Sequence, residues 1–149
     1  MTKLISVQTI SYDKINQLRH VRYLKNKEHT LELMQRHAEI MRPKFELVLK
    51  ILRAELTPKG IAHWHHPTGG YFVCVAAMPG IAKRTLELCQ EAGVVFTPAG
   101  ATYPYGIDPH DSMIRIAPSL PPLEELEKAM IVFCVSIKIA ALEKYLGIR

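Results

Sequence analysis

The sequence has few of the residues that build simple chemical sites. It has three cysteines, Cys74, Cys89 and Cys134, and no Cys-x-x-Cys pair. An odd number at wide spacing argues against a disulfide framework or a zinc site and fits a reducing, cytoplasmic setting. No apolar stretch reaches the roughly 20 residues of a membrane span. The richest run, Ala129 to Leu142, is interrupted by Ser136 and Lys138. The N-terminus has no signal-peptide h-region. There is no Gly-x-Gly-x-x-Gly, no P-loop and no Gly-x-Ser-x-Gly elbow, so neither a dinucleotide fingerprint nor a hydrolase nucleophile is written in the chain.

What is present is a globular composition: 149 residues, 48% hydrophobic, with a formal charge of +5. That suits one domain, or one domain plus a linker. The Lys and Arg residues are dispersed, densest from Arg19 to Lys27, which reads as a solvated surface and not as a nucleic-acid footprint.

Periodicity gives the elements. A first helix is expected from about Tyr12 to Asn26. A long amphipathic helix follows over residues 28–56, with Met34, Ala38, Met41, Phe45, Val48 and Leu52 at helical steps. Pro43 inside it predicts a kink or a short break. Strands are expected at Ile61–His66, Tyr71–Ala77, Val94–Thr97 and Met113–Ala117. A helix from Gly80 should end with Gly93 as its C′ residue. A last helix should open with Pro121 at N1 and reach about Leu146, with Glu124 and Glu125 in its first turn. The fold class is α+β: a small, mostly antiparallel sheet with helices packed on it, preceded by the long kinked helix. The last helix is apolar around most of its circumference. Either it lies at the centre of the core or it lacks a covering surface.

Few residue clusters carry chemistry. His63, His65 and His66 surround Trp64, the only tryptophan, but no further ligand follows at metal spacing; an edge strand with Trp64 turned inward is the simpler account. Ser11, Asp13 and His20 lack the setting of a hydrolytic triad. Cys89 lies on an apolar helical face, where a thiol is inert. Arg115 stands apart. In a strand, Ile114 and Ile116 point to the core and Arg115 to the opposite face. There its planar fork suits a carboxylate. Spacing alone favours an ordinary exposed arginine.

Three motifs in register carry a resemblance. Pro67-Thr-Gly-Gly-Tyr-Phe72, Gly93-Val-Val-Phe-Thr-Pro-Ala-Gly100 and Ile114-Arg115-Ile-Ala-Pro-Ser119 are similar in order and spacing to the C-terminal small domain of fold-type I, pyridoxal-phosphate-dependent aminotransferases. Asn16-Gln-Leu-Arg-His-Val-Arg22, Thr97 to Gly106 and Leu142-Glu-Lys144 resemble a bacterial subgroup labelled aspartate aminotransferase or MocR-like. The resemblance covers essentially the whole chain. It implies that Arg115 binds the substrate α-carboxylate and that Tyr103 and Tyr105 lie on a loop facing the substrate. It implies that Ser6 to Asn16 runs near a neighbouring subunit's active site. Residues 1–27 would be a remnant of the large domain and linker, and 28–149 the small domain. The implied partners are an amino acid and a 2-oxo acid (aspartate and 2-oxoglutarate for this subgroup), a large domain and a homodimer partner. The cofactor of the whole enzyme would be pyridoxal phosphate.

The departure from the family pattern is its lysine. The Schiff-base lysine sits in a Ser-x-Ser-Lys motif, and no lysine here has that setting, Lys3 included. The chain alone is therefore expected to be inactive and to bind no cofactor or metal. The alternative is a non-catalytic binding or self-association module derived from an aminotransferase.

Overall fold

The computed structural model describes Val7 and residues 12–148. These fall into two compact units, one ending at Ile40 and the other beginning at Met41.

The first unit is helical. Helix α1 spans Lys14–Leu24. It begins where the Asp13 carboxylate accepts the Asn16 N–H at 2.9 Å, a side-chain N-cap. It stops at Lys25, whose φ of 56° leaves the helical region. Helix α2, Lys27–Leu56, starts in the same way: the Asn26 side chain accepts the His29 N–H at 2.9 Å. The helix runs through Pro43 without interruption, so the short break is not present. No residue between 12 and 40 is buried.

The second unit carries the core. Val48, Leu52 and Leu56 recur every four residues along α2 and are fully buried. Strands β1 (Ala62–Trp64), β2 (Val73–Ala77) and β3 (Met113–Ile116) form an antiparallel sheet in that order. Helix α3 spans Ala82–Glu91 and helix α4 Leu123–Tyr145. Burial alternates along β2 and β3: Val73, Val75, Ala77, Ile114 and Ile116 face the helices, and the residues between them face away. Phe133 of α4 is at the centre, its ring 5.4 Å from that of Phe96. Arg84 of α3 grips Glu143 of α4 through Nε at 2.7 Å and Nη2 at 3.0 Å, a two-bond fork that joins the helices.

Two expectations need correction. Residues 94–97 are not a strand. The Val94 N–H closes the end of α3 by donating to the Cys89 carbonyl at 2.8 Å, and Val95 is 81% exposed with no strand beside it among the described residues. A strand needs a neighbour to satisfy its backbone, and none is supplied there. Helix α4 begins at Leu123, not at Pro121. A residue that precedes proline is pushed out of the helical region, so Pro122 excludes Pro121 from the first turn and itself occupies the cap. Glu124 and Glu125 do occupy the first turn.

Gly93 is the C′ residue of α3, as expected. Its φ is 84°, its N–H reaches Gln90 and the next N–H reaches Cys89, the paired bonds of a Schellman ending. Helix α4 is not wrapped on all sides. Leu126, Met130, Phe133, Ile137 and Ala141 are buried, while Ile131, Val135 and Leu142 are about half exposed. No helix among the described residues is long and apolar enough to cross a membrane.

Candidate functional site

The sheet has one face on the core, and Arg115 is on the other, half-buried. Its register partner across the sheet is Cys74 of β2, so guanidinium and thiol share that face. Phe72 precedes β2 and lies two residues from Cys74, on the same side by strand alternation. The Arg115 guanidinium carbon stands 4.4 Å from the centroid of the Phe72 ring, a cation–π contact. The Arg115 Nε is buried and has no hydrogen-bond partner. A buried donor without an acceptor is uncommon and costs on the order of 1–3 kcal/mol, more for a charged group. It marks a place where an oxygen ligand would be welcome.

The loop before β3 fixes where Arg115 stands. The Asp108 carboxylate accepts the N–H groups of Ser112 and Met113, each at 2.7 Å, and that of His110 at 3.0 Å. Partial desolvation works against ionisation at Asp108. The backbone bonds from Met113, Ser112 and His110 outweigh it and hold the carboxyl below its usual range. Asp111, at φ 47°, turns back on α3. Its carbonyl accepts the N–H groups of Gly80, Ile81 and Ala82, and its side chain that of Lys83 at 3.0 Å. One loop thus caps α3 and pins the first residues of β3, two positions before Arg115. Sequence reasoning missed both aspartates, and the partners of Asp111 lie 28 or more residues away. It also missed Phe72, although the alternation of Phe72, Cys74 and Ala76 pointed to one shared face.

The two tyrosines of the Pro- and Gly-rich loop differ. Tyr103 is partly buried and its N–H donates to Gly100. Tyr105 is 98% exposed and sits at φ 60°, a left-handed conformation that costs about 1–2 kcal/mol for a residue with a side chain. Neither ring makes a hydrogen bond or ring contact with Arg115. Gly100 shapes the loop: its φ is 85°, and a Cβ there would collide with the Gly106 carbonyl.

The other clusters do not assemble. Ser11 lies outside the described residues, as do Lys3, Ser6 and residues 8–10. Asp13 caps α1 and His20 Nδ1 bonds the Asn16 carbonyl, both local backbone roles. His63 lies in β1, His65 outside it, and His66 faces Arg53. No group of three or more metal-ligating side chains forms among the described residues. Trp64 is half-buried against the core from β1, an edge strand. Burial pushes the Cys89 thiol up, against a hydrogen bond from Ser136, and pushes Cys134 up to about 12.

No lysine among the described residues is buried. Lys44 donates to the Ser119 carbonyl, Lys138 pairs with Glu55, and Lys144 donates to the Pro79 carbonyl. Every other described lysine is exposed.

Comparison with known proteins places this architecture. The α-aminoadipate aminotransferase of Thermus thermophilus, solved with N-(5′-phosphopyridoxyl)-L-leucine, superposes with a TM-score of 0.76 at 19% identity, over 94% of this chain and 35% of that one. The fold is therefore that of an aminotransferase domain. The chain belongs to the family described as aspartate amino-transferase, whose profile matches residues 1–149. An aspartate aminotransferase of Corynebacterium glutamicum is 44% identical over 139 residues, 93% of this chain and 32% of that protein. The crystal structure of an aspartate transaminase from the same species gives a TM-score of 0.89 at 43% identity, over 97% of this chain and 34% of that one. The chain thus spans about a third of the length of the relatives it matches.

Proposed function

We propose that this chain is the substrate-carboxylate-binding part of an amino-acid aminotransferase of the aspartate type. Residues 28–149 would form its small domain and residues 1–27 the linker from a large domain. The observation that carries this is Arg115: a guanidinium on the sheet face away from the core, stacked on Phe72, with a buried Nε that has no acceptor. A bidentate bond to an α-carboxylate would orient an amino acid or 2-oxo acid, with aspartate and 2-oxoglutarate as the pair. Pyridoxal phosphate, when bound to the whole enzyme, supplies the electron sink of transamination. The work assigned to this chain is to hold the carboxylate end and so fix where the amine points. Tyr103 and Tyr105 would border the substrate without taking a step. The lysine that carries the cofactor would come from outside this chain, together with a large domain and a second subunit, in a reducing cytoplasm. By itself the chain would be inactive.

The test is an NMR titration of the intact chain with 2-oxoglutarate, following the Nε–H resonance of Arg115. The expected result is a saturable shift that Arg115→Gln abolishes. A flat titration in the wild-type chain would overturn the assignment. For inactivity, incubation with pyridoxal phosphate should give no visible band of a lysine-bound cofactor. A band trapped by borohydride on one lysine would sink that part.

The half-exposed side of α4, with Ile131, Val135 and Leu142, favours a second reading as a self-association module. Sedimentation of a strict monomer that binds no hydrophobic dye would count against it.

A further inference from the structure

A second groove, apart from the Arg115 face, lies between the C-terminal turns of α2 and the edge strand β1. Its helix side presents Lys50 and Arg53, three residues apart and therefore neighbours on the surface. Its strand side presents His63, Trp64 and, just beyond β1, His66. Two open cavities, of about 460 and 570 Å³, are both walled by Arg53 and His66. Volumes of this order accommodate a small organic ligand.

Glu46 lines the groove on the Lys50 side, and no carboxylate lines the cavity that Arg53 shares with Trp64. Arg53 Nη2 stands 3.1 Å from Nε2 of His66, so the guanidinium donates to a ring nitrogen and not to a carboxylate. Among the described residues no carboxylate comes within ion-pair distance of Arg53 or Lys50. Arg53 has five N–H donors in a fixed fork, and one imidazole occupies a single direction. The contrast with Arg84, which is surrounded by Glu87, Glu91 and Glu143, shows how this fold neutralises an arginine when it uses one as a clasp. Trp64 lines the same cavity, half-buried, with its indole held by the core. Cationic forks beside a fixed aromatic plane make a site with two distinct ends, one for an anion and one for a flat ring.

We propose that this groove binds a small organic phosphate that carries a planar ring. The phosphate sits on Arg53, with Lys50 and His66 beside it, and the ring lies against Trp64. Phosphate suits the polar end because it offers several acceptor oxygens to a fork and to neighbouring donors at once. This site is independent of the carboxylate held at Arg115.

Trp64 is the only tryptophan, so its fluorescence reports this groove without labelling. The intact chain is titrated with adenosine 5′-monophosphate, adenosine and inorganic phosphate. The nucleotide should give a saturable change at millimolar concentration, and each half alone a weaker one. Arg53→Gln should weaken nucleotide binding by about tenfold, the loss expected for a charge-assisted fork. Arg53 is exposed, so the variant should keep the wild-type circular dichroism, and Arg53→Lys should bind at an intermediate level. Arg115→Gln should leave the response unchanged, which separates this site from the other. No saturable response to the nucleotide overturns the proposal. So does an equal response to adenosine or to inorganic phosphate, or an Arg53→Gln variant that binds as the wild type does.

Discussion

Arg115 owes its usefulness to its neighbours on both sides in the strand. Ile114 and Ile116 are each 1% exposed and anchor the backbone, so the guanidinium can project from a fixed point. Phe72 then constrains its plane. Arg115→Lys keeps the charge but loses the fork and the stacking. It should weaken 2-oxo acid binding by about tenfold, read from the same titration, with no loss of fold. Equal affinity in the Lys variant would mean that charge alone matters there. Asp108 acts one step further back. Its carboxyl lies below the usual range in the folded chain, so its contribution is complete above that range and is lost as pH falls through the folded value. Asp108→Asn should cost on the order of 1 kcal/mol at neutral pH. The gap from wild type should close below about pH 4, measured by urea unfolding across pH. A gap that stays constant with pH would show that shape, and not ionisation, is what Asp108 provides.

At the scale of elements, the endings are set by identifiable atoms. Gly93 closes α3 at φ 84°, and a Cβ at this position would stand in open space, so its conformation alone resists substitution. Gly93→Ala should therefore cost about 1 kcal/mol, seen as a lower urea midpoint at unchanged m-value. This ending was legible in the sequence, as were the burial of Ile114 and Ile116 and the outward face of Arg115, because each follows from local periodicity or from one residue's allowed angles. Residues 94–97 were not legible. Val94-Val-Phe-Thr97 has strand composition, but a strand also requires a paired neighbour, and pairing is not a local property. The cap on α3 was hidden for the same reason: Ile81 has no capping side chain, and the acceptors come from Asp111. Strand alternation and the family resemblance marked Arg115. The loop that positions it depends on contacts between distant parts of the chain.

At the scale of the whole molecule, burial among the described residues is confined to the unit that begins at Met41. Its first fully buried residue is Val48, and the fully buried Phe133, Met130, Ile137, Leu52 and Leu56 all lie beyond that boundary. Residues 12–40 contribute no buried side chain, and their helices rest on local caps at Asp13 and Asn26. Helical segments without a buried face gain little from propensity alone, since most helical stability in proteins comes from packing an apolar face. Exposed Ile15, Leu18, Val21 and Met34 show that such a face exists in residues 12–40 without being used there. Removal of residues 1–40 should then leave a chain that melts cooperatively, with a midpoint within about 4 °C of the intact one, a shift that corresponds to no more than about 1 kcal/mol. Differential scanning calorimetry of both chains decides it. A broad, non-cooperative melt in the shortened chain would mean that the core needs the N-terminal helices. An unchanged melt together with an unchanged Arg115 titration would assign both stability and carboxylate binding to residues 41–149, leaving the first helices free to serve a surface outside this chain.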